Sequence, residues 1–206
     1  MTRRWVVSGA LWDRIDERCE RWNVLRHPFY ARWSAGELEP EELNRYAGQY
    51  RHAVEALAAM TANAAAENDA LGAHAAEEAA HVALWDDFAR AAGNEGGDAP
   101  NLETRACVET WAAEDGLLPT LARMYAIERA QPEIARVKRE GLVDLYGYED
   151  GPATEYFRLH ERLDVEHAAE VRELIEELAG AGDEHALLDA AEAAVRANWR
   201  LLDGVS

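Results

Sequence analysis

The sequence predicts an all-α protein, folded as a bundle of seven to eight helices. Ala, Leu, Glu and Arg dominate the composition while β-branched residues are sparse, which favours helices. Apolar residues recur at helical spacing along nearly the whole chain, and the segments between these stretches are short. With 206 residues, 49% of them hydrophobic, the chain fits a single domain over residues 1–206 with a substantial core.

Start and stop signals place the boundaries of the expected helices. Pro40 begins one of them, with proline in the first turn and two acidic residues near the positive helix end. Residues 93–100 form a polar, glycine-rich loop, and residues 147–151 and 180–182 interrupt the pattern again. The expected helices cover about 8–23, 27–34, 40–66, 68–92, 102–114, 117–130, 132–146, 152–179 and 184–202.

The chain is strongly acidic, with a formal net charge of −19 and a pI of about 4.7. Such a charge argues against nucleic acids and anionic membranes as partners. Lys138 is the only lysine, and an acidic, lysine-poor composition suggests a salt-rich cytoplasm. We expect a cytoplasmic protein, because no apolar stretch matches a signal peptide or a membrane span. The two isolated cysteines, Cys19 and Cys107, should be at least partly buried.

The most informative motif is His160-x3-Asp164-x2-His167, inside a segment that contains no helix breaker. Each helical residue advances about 100°, so these three side chains leave one stripe of the helix. Two imidazoles and a carboxylate can together hold iron, manganese or zinc. The motif therefore predicts a transition-metal site, and the alternative interpretation is a polar, solvated helix face.

Other helices offer further donors. Glu78 and His81 are three residues apart, the Glu-x-x-His geometry by which helical bundles hold metals. Glu77 could share the same face, so the choice between Glu77 and Glu78 stays open at this point. Glu128 is the best additional carboxylate, because its sequence neighbours are mostly apolar and a buried acid needs a partner. Glu55 has similar surroundings and is the reserve candidate.

Together these donors predict a site for two metal ions. Three imidazoles and three carboxylates suffice for two ions with open positions, and carboxylate-rich pairs of this kind bind iron and admit dioxygen. The remaining histidines, His27, His52, His74 and His185, lack a partner pattern and are interpreted as capping, surface or supporting residues. The predicted ligands are Glu78, His81, Glu128, His160, Asp164 and His167.

Three further blocks of the sequence occur in the order that is typical of one family. They are residues 27–38, which contain the pattern Phe-Tyr-x-x-Trp-Ser-x-Gly-Glu-Leu, and residues 125–142 and 156–167. These blocks resemble the heme-oxygenase-like diiron oxygenases, and most closely the para-aminobenzoate synthases related to the Chlamydia protein associating with death domains. Thiaminase II and pyrroloquinoline-quinone synthase are more distantly similar. The resemblance implies a heme-oxygenase-like helical bundle.

The resemblance also implies an unusual reaction. Members of this family make para-aminobenzoate for folate, with the ring cut from a tyrosine of the protein and the nitrogen taken from a lysine. The matching positions here are Tyr30 and Lys138. Arginine could not replace the lysine, because its guanidinium stays protonated. Two iron ions (Fe/Fe or Mn/Fe), O2, an external reductant and a homodimer are implied as well.

Three alternative functions fit parts of the same pattern. The same ligands would serve a diiron oxygenase acting on an external small molecule, by N-oxygenation, desaturation or oxidative decarboxylation. A thiaminase-like hydrolase would need an activated cysteine, and nothing in the sequence marks Cys107 as one. A metal store or a helical interaction protein is the non-enzymatic alternative. This sequence also departs from the family pattern at one place. In the family, the segment between the acidic pair and the histidine is longer than Glu78–His81, so the resemblance does not decide between Glu77 and Glu78.

Overall fold

A computed structural model describes residues 9–206, and within this range the chain forms helices and loops without any strand. Two short 3-10 turns, Val24–Arg26 and Asp69–Leu71, precede the second and fourth α-helices. The α-helices of the described range are α1 (Gly9–Glu20), α2 (Pro28–Ala35), α3 (Pro40–Glu67), α4 (Gly72–Ala91), α5 (Leu102–Trp111), α6 (Leu117–Glu128), α7 (Gln131–Asp144), α8 (Pro152–Leu178) and α9 (Glu184–Asp203).

The all-α prediction is confirmed, and the helix boundaries agree with those expected to within a few residues. The start expected near residue 8 lies outside the described residues. Capping side chains explain where two helices begin. His27 caps α2 by accepting a hydrogen bond from the Phe29 amide at 3.0 Å, and Asn101 caps α5 by accepting from the Thr104 amide at 2.7 Å.

Helices α4, α6 and α8 position the candidate site. Helix α8 packs on α4, α6 and α7, while α3 covers another side of α4. The apolar face of α8 is fully buried at Phe157, Val171 and Ile175. Each such side chain contributes about 1.5–3 kcal/mol of burial free energy, so α8 is held firmly against its neighbours. The polar residues on the same stripe are thereby carried into the interior.

The described part of the chain holds no helix with both the length and the apolar character needed to cross a bilayer. Cys19 and Cys107 are buried free thiols, as the sequence predicted.

Candidate metal centre

The six predicted ligands are all buried, and they come from three helices that pack together. Helix α4 supplies two of them, α6 one, and α8 the three of the sequence motif. None is more than 4% exposed, in a protein whose other carboxylates lie mostly at the surface. These side chains are Glu78, His81, Glu128, His160, Asp164 and His167.

The donor atoms converge in two groups that share one carboxylate. Glu78, His81 and His160 offer donor atoms that all lie within 4.8 Å of one another. Glu78 belongs equally to a second group of the same size, with His167 and His74. A carboxylate shared between two groups of imidazoles is suited to bridge two cations.

The structure separates the two acids that the sequence could not distinguish. Glu78 is 1% exposed and its Oε1 lies 3.2 Å from Nδ1 of His81. The Glu77 side chain is 49% exposed and instead contacts Nε2 of His167, at 2.8 Å. The reserve candidate Glu55 pairs with Arg51 and its side chain is 46% exposed. Of the three acids Glu55, Glu77 and Glu78, only Glu78 is buried with its carboxylate in the donor cluster.

His74 is a member of the cluster that the sequence interpretation missed. It was grouped with capping, surface or supporting residues, yet it is 1% exposed and forms part of a donor group. Its Nε2 lies 3.0 Å from Oε1 of Glu128, and its ring stacks on that of His167 with the centroids 3.7 Å apart. Its spacing in the sequence could have indicated this position. His74-x3-Glu78-x2-His81 has the same spacing as the α8 motif His160-x3-Asp164-x2-His167.

In the cluster, burial and the neighbouring charges have opposite effects on the pKa values of the acids and histidines. Burial raises the pKa of Asp164 and of Glu128 above the usual carboxyl values, because neither carboxylate has enough compensating contacts. Burial also lowers the pKa of His160. Burial alone would lower the pKa of His167, but the carboxylates of Asp164 and Glu77 outweigh it and raise the pKa to about 9.

The donor set is compatible with metal binding. In the described chain, most buried side-chain nitrogen and oxygen atoms without a hydrogen-bond partner belong to this one cluster. They include both oxygens of Asp164, both of Glu128 and the inner nitrogens of the histidines. Unpaired buried polar atoms cost about 1–3 kcal/mol each, more when charged, so a concentration of them is unfavourable unless cations bind there. Imidazole and carboxylate donors are those that iron accepts.

The only lysine lies in a separate buried region packed with aromatic rings, called the chamber below, which is formed by Tyr30, Tyr46, Tyr50, Trp85 and Phe157. Lys138 is 1% exposed, and its Nζ lies 4.6 Å from the ring centroid of Tyr50. The ring centroids of Tyr30, Tyr46 and Phe157 are each 5.6 Å from Nζ. The two side chains singled out by the family resemblance, Tyr30 and Lys138, therefore lie together.

The chamber changes the ionisation of its polar groups. Desolvation lowers the pKa of Lys138 from 10.5 to about 7, which leaves a large fraction of the amine uncharged near neutral pH. Burial raises the pKa of Tyr30 and Tyr46 well above that of a free phenol, and their hydroxyl oxygens lie 3.0 Å apart. Both phenols are therefore neutral near physiological pH.

Aromatic rings connect the chamber with the metal-donor cluster. Tyr156 stacks on His160 with centroids 4.0 Å apart, and Trp85 lies 4.9 Å from Tyr156. Tyr50 is 5.1 Å from Trp85 and contacts Lys138 on its other side. These buried aromatic side chains lie between the metal-donor cluster and Lys138.

Three proteins named 4-aminobenzoate synthase are similar to this chain over nearly its whole length. The sequence of 4-aminobenzoate synthase from Chlamydia muridarum is 30% identical over 214 residues, covering 96% of this chain and 90% of the relative. The 4-aminobenzoate synthase of Nitrosomonas europaea is also 30% identical, with 97% and 92% coverage. That of Chlamydia trachomatis is 31% identical, with 93% and 90% coverage.

Solved structures agree on the fold. A protein from Shewanella denitrificans described as having a heme oxygenase-like fold superposes with a TM-score of 0.81, at 17% identity, over 98% of this chain and 93% of its own. A TenA homologue from Pseudomonas syringae gives 0.80 at 17% identity, over 95% and 92%. Residues 51–199 match the sequence pattern of a family described as iron-containing redox enzymes. This chain, a heme-oxygenase-like helical bundle, belongs to that family of iron-containing redox enzymes.

Proposed function

We propose that the protein is a diiron oxygenase that makes para-aminobenzoate from its own Tyr30 and Lys138, using O2 and a reductant. The observation that carries the proposal is the position of the single lysine, which is buried against tyrosine rings beside a cluster of metal donors. The relatives named 4-aminobenzoate synthase support the same product.

The atoms of the two side chains account for the product. A tyrosine ring already carries Cβ and an oxygen at opposite ends, where para-aminobenzoate carries a carboxylate carbon and a nitrogen. The Cα–Cβ bond of Tyr30 breaks and leaves Cα with a hydrogen atom, as in glycine. The Cε–Nζ bond of Lys138 breaks and leaves Cε as an aldehyde, while Nζ replaces the phenol oxygen on the ring. These changes and the oxidation of Cβ to the carboxylate balance with two O2 molecules and with two electrons and two protons from the external reductant, and they release two water molecules.

The chain's own residues prepare this chemistry. Iron bound by the donor cluster would supply the activation of O2. The apolar chamber keeps the Lys138 amine partly unprotonated, and only an unprotonated amine has a lone pair to give to the ring. The hydroxyl contact with Tyr46 orients the phenol of Tyr30. Tyr156 and Trp85 exclude water between the donors and the chamber.

The proposal includes the partners that the resemblance implied. It requires two iron ions, as Fe/Fe or Mn/Fe, together with O2 and an external reductant, and it includes a homodimer in the cytoplasm. One chain gives one product molecule, because each chain loses its own side chains. Product yield should therefore saturate at about one equivalent per iron-loaded chain.

Isotope labelling tests the origin of the product. Protein made with ring-labelled tyrosine and with 15N at lysine Nζ is loaded with iron, reduced and exposed to O2. We expect labelled para-aminobenzoate by mass spectrometry, and matching losses of mass in the peptides that contain Tyr30 and Lys138. Unlabelled product, or product well above one equivalent per chain, would contradict self-sacrifice.

Variants test the two positions separately. Tyr30→Phe removes the phenol at the proposed ring donor, and we expect product to disappear. Tyr50→Phe and Tyr148→Phe are controls. Tyr50 is the ring closest to Lys138, whereas Tyr148 packs against Phe88 and is not one of the rings around Lys138. Product that persists in Tyr30→Phe and disappears in Tyr50→Phe would move the ring donor to Tyr50.

A lysine swap tests position without changing composition. Lys138→Arg should abolish the product, because the guanidinium does not deprotonate. Adding Arg136→Lys restores one lysine on the same helix, two residues away and exposed. This double variant should also be inactive, and full activity in either protein would defeat the assignment of Lys138.

The main alternative is a diiron oxygenase acting on an external small molecule. The cavity that Ile134, Val195 and Asn198 line is not lined by any of the metal donors, by Tyr30 or by Lys138. Its volume of about 120 Å³ is small beside the roughly 300–1,000 Å³ of ordinary ligand pockets. The space nearer the donors is filled by aromatic side chains, which favours the self-sacrificing reaction.

The thiaminase-like alternative has less support. Cys107 is fully buried and burial raises the pKa of its thiol well above the usual value, so it is not an activated nucleophile. A purely structural bundle would have no need for buried, unpaired donors on three helices.

A further inference from the structure

We propose that His74 is a seventh metal donor, so that two antiparallel copies of one motif, His-x3-Glu/Asp-x2-His, each supply three of the seven donors, and Glu128 supplies the last. The inference rests on the proposed diiron function and extends the ligand set beyond the six residues predicted from the sequence. The first copy is His74, Glu78 and His81 on α4, and the second is the α8 motif.

Both copies present their donors on one helical stripe. In each, the acid lies about 40° and the second histidine about 20° from the first histidine around the helix axis. The copies run in opposite directions, because the first histidine of α4 meets the last of α8. His74 stacks on His167 at 3.7 Å, and His81 lies 4.5 Å from His160.

Each metal position then receives one imidazole from each copy. Glu78, His74 and His167 form one donor group, with Glu128 only 3.0 Å from His74. Glu78, His81 and His160 form the other group. Without His74, the first position would have one imidazole, from His167, and the second would have two, from His81 and His160.

A glutamate lies near the outer side of each of these two histidines. Glu77 follows His74 by three residues on α4, and its carboxylate contacts Nε2 of His167 at 2.8 Å. Glu170 follows His167 by three residues on α8, and its carboxylate lies 3.8 Å from Nδ1 of His74, which is near but beyond hydrogen-bond distance. Metal-bound histidines usually donate their outer N–H to a carboxylate or a carbonyl.

The outer contacts fix which nitrogen faces inward. The carboxylate of Glu77 holds Nε2 of His167, and the Tyr156 carbonyl accepts from Nδ1 of His160 at 2.6 Å. Nδ1 of His167 and Nε2 of His160 are thereby left facing the donor cluster without partners. His74 differs, because neither of its ring nitrogens has a hydrogen-bond partner, although Nε2 lies 3.0 Å from Oε1 of Glu128.

The competing role for His74 is positioning, in which its Nε2–H donates to Glu128 and touches no metal. His74→Gln separates the two roles, because a glutamine amide can still donate to Glu128 but is a poor transition-metal ligand. His74→Ala leaves room for free imidazole to restore the missing donor. His185→Ala is the control, since that histidine is exposed on α9.

The experiment loads metal-free protein with cobalt(II) and measures bound metal per chain and the visible absorption of each site. We expect two ions in wild type and in His185→Ala. Both His74 variants should keep one ion firmly and bind the other at least about tenfold more weakly. Imidazole should restore the second ion to His74→Ala.

Each possible outcome bears on a different claim. Two firmly bound ions with unchanged spectra in both His74 variants would overturn the ligand role. Two firm ions in His74→Gln alone would assign His74 to positioning and would also overturn the proposal. A wild-type protein that binds no metal would instead overturn the proposed diiron function, and this inference with it.

Discussion

Lys138 shows how one residue's surroundings set its chemistry. A lysine usually keeps its amine in water, yet this one is 1% exposed and faces aromatic rings from several helices. Desolvation lowers its pKa to about 7, although five nearby rings offer some cation–π attraction to the charged form. The loss of hydration therefore outweighs the attraction of the rings.

The lowered pKa can be measured directly. Protein labelled with 15N at lysine Nζ should give one side-chain amine resonance, because the sequence has one lysine. We expect that resonance to titrate near pH 7 in the folded, metal-free protein, and near the usual value of about 10.4 in urea. A folded-state midpoint above about 9 would show that the chamber is wetter than its packing indicates.

The same lysine should make stability depend on pH. Between pH 7 and about 10, the unfolded chain holds a proton on Lys138 that the folded chain lacks, so the free energy of unfolding rises with pH. Lys138→Met removes this dependence. The variant should be more stable than wild type at pH 7, by up to about 4 kcal/mol, and the difference should shrink towards pH 10.

Urea unfolding of both metal-free proteins at several pH values checks this prediction. Comparing the two proteins at each pH cancels the titration of all other groups. A difference that stays constant with pH would mean that Lys138 is charged in the folded state.

At the scale of helices, one close contact fixes the position of α7. A Cβ atom on Gly141 would come within 2.5 Å of the indole nitrogen of Trp33, on α2. That indole N–H donates to the carbonyl of Lys138 at 3.3 Å. The glycine therefore lets α2 approach α7 next to the lysine.

Gly141→Ala should be destabilising, although alanine is the better helix former by about 1 kcal/mol. We expect a net loss of about 1–3 kcal/mol, because the Trp33 indole is fully buried among other rings and cannot move away from the added methyl group without strain. Gly72→Ala is the matched control, since nothing lies within 4 Å of its added Cβ. Thermal unfolding checks both, and an equally stable Gly141→Ala would show that α7 shifts freely.

The helices themselves were predictable, because their signals are local. Proline at first turns, asparagine caps and glycine-rich breaks act within a few residues of each boundary. The Glu-x-x-His spacing favoured Glu78 over Glu77 without deciding between them, since the two residues are adjacent on the same helix and Glu77 lies four residues before His81. Packing of α4 against α8 decides it. His74 was not predicted as a donor, because the Glu-x-x-His pair begins at Glu78 and does not indicate the role of a residue one turn earlier.

At the scale of the whole molecule, charge dominates the surface. The net charge of −19 implies mutual repulsion, and many arginines pair with acids at the surface rather than in the core. The composition predicted this character directly, whereas it could not predict that three carboxylates lie inside. Burial of an acid depends on which helices meet, which composition does not record.

Salt should therefore stabilise the fold. Raising KCl from about 0.05 M to about 1 M shortens the screening length from roughly 14 Å to 3 Å and weakens the repulsion. We expect the unfolding temperature of the metal-free protein to rise by several degrees, with sucrose of equal osmolality as the uncharged control. No dependence on KCl would count against adaptation to a salt-rich environment.

The burial of Lys138 has a practical consequence. Amine-reactive reagents have one side-chain target in this sequence, and the native fold shields it. Modification of that site must wait for the bundle to open, so its rate reports the frequency of opening around α7. The rate of modification at Lys138 therefore measures how often this part of the bundle opens, and no engineered label is needed.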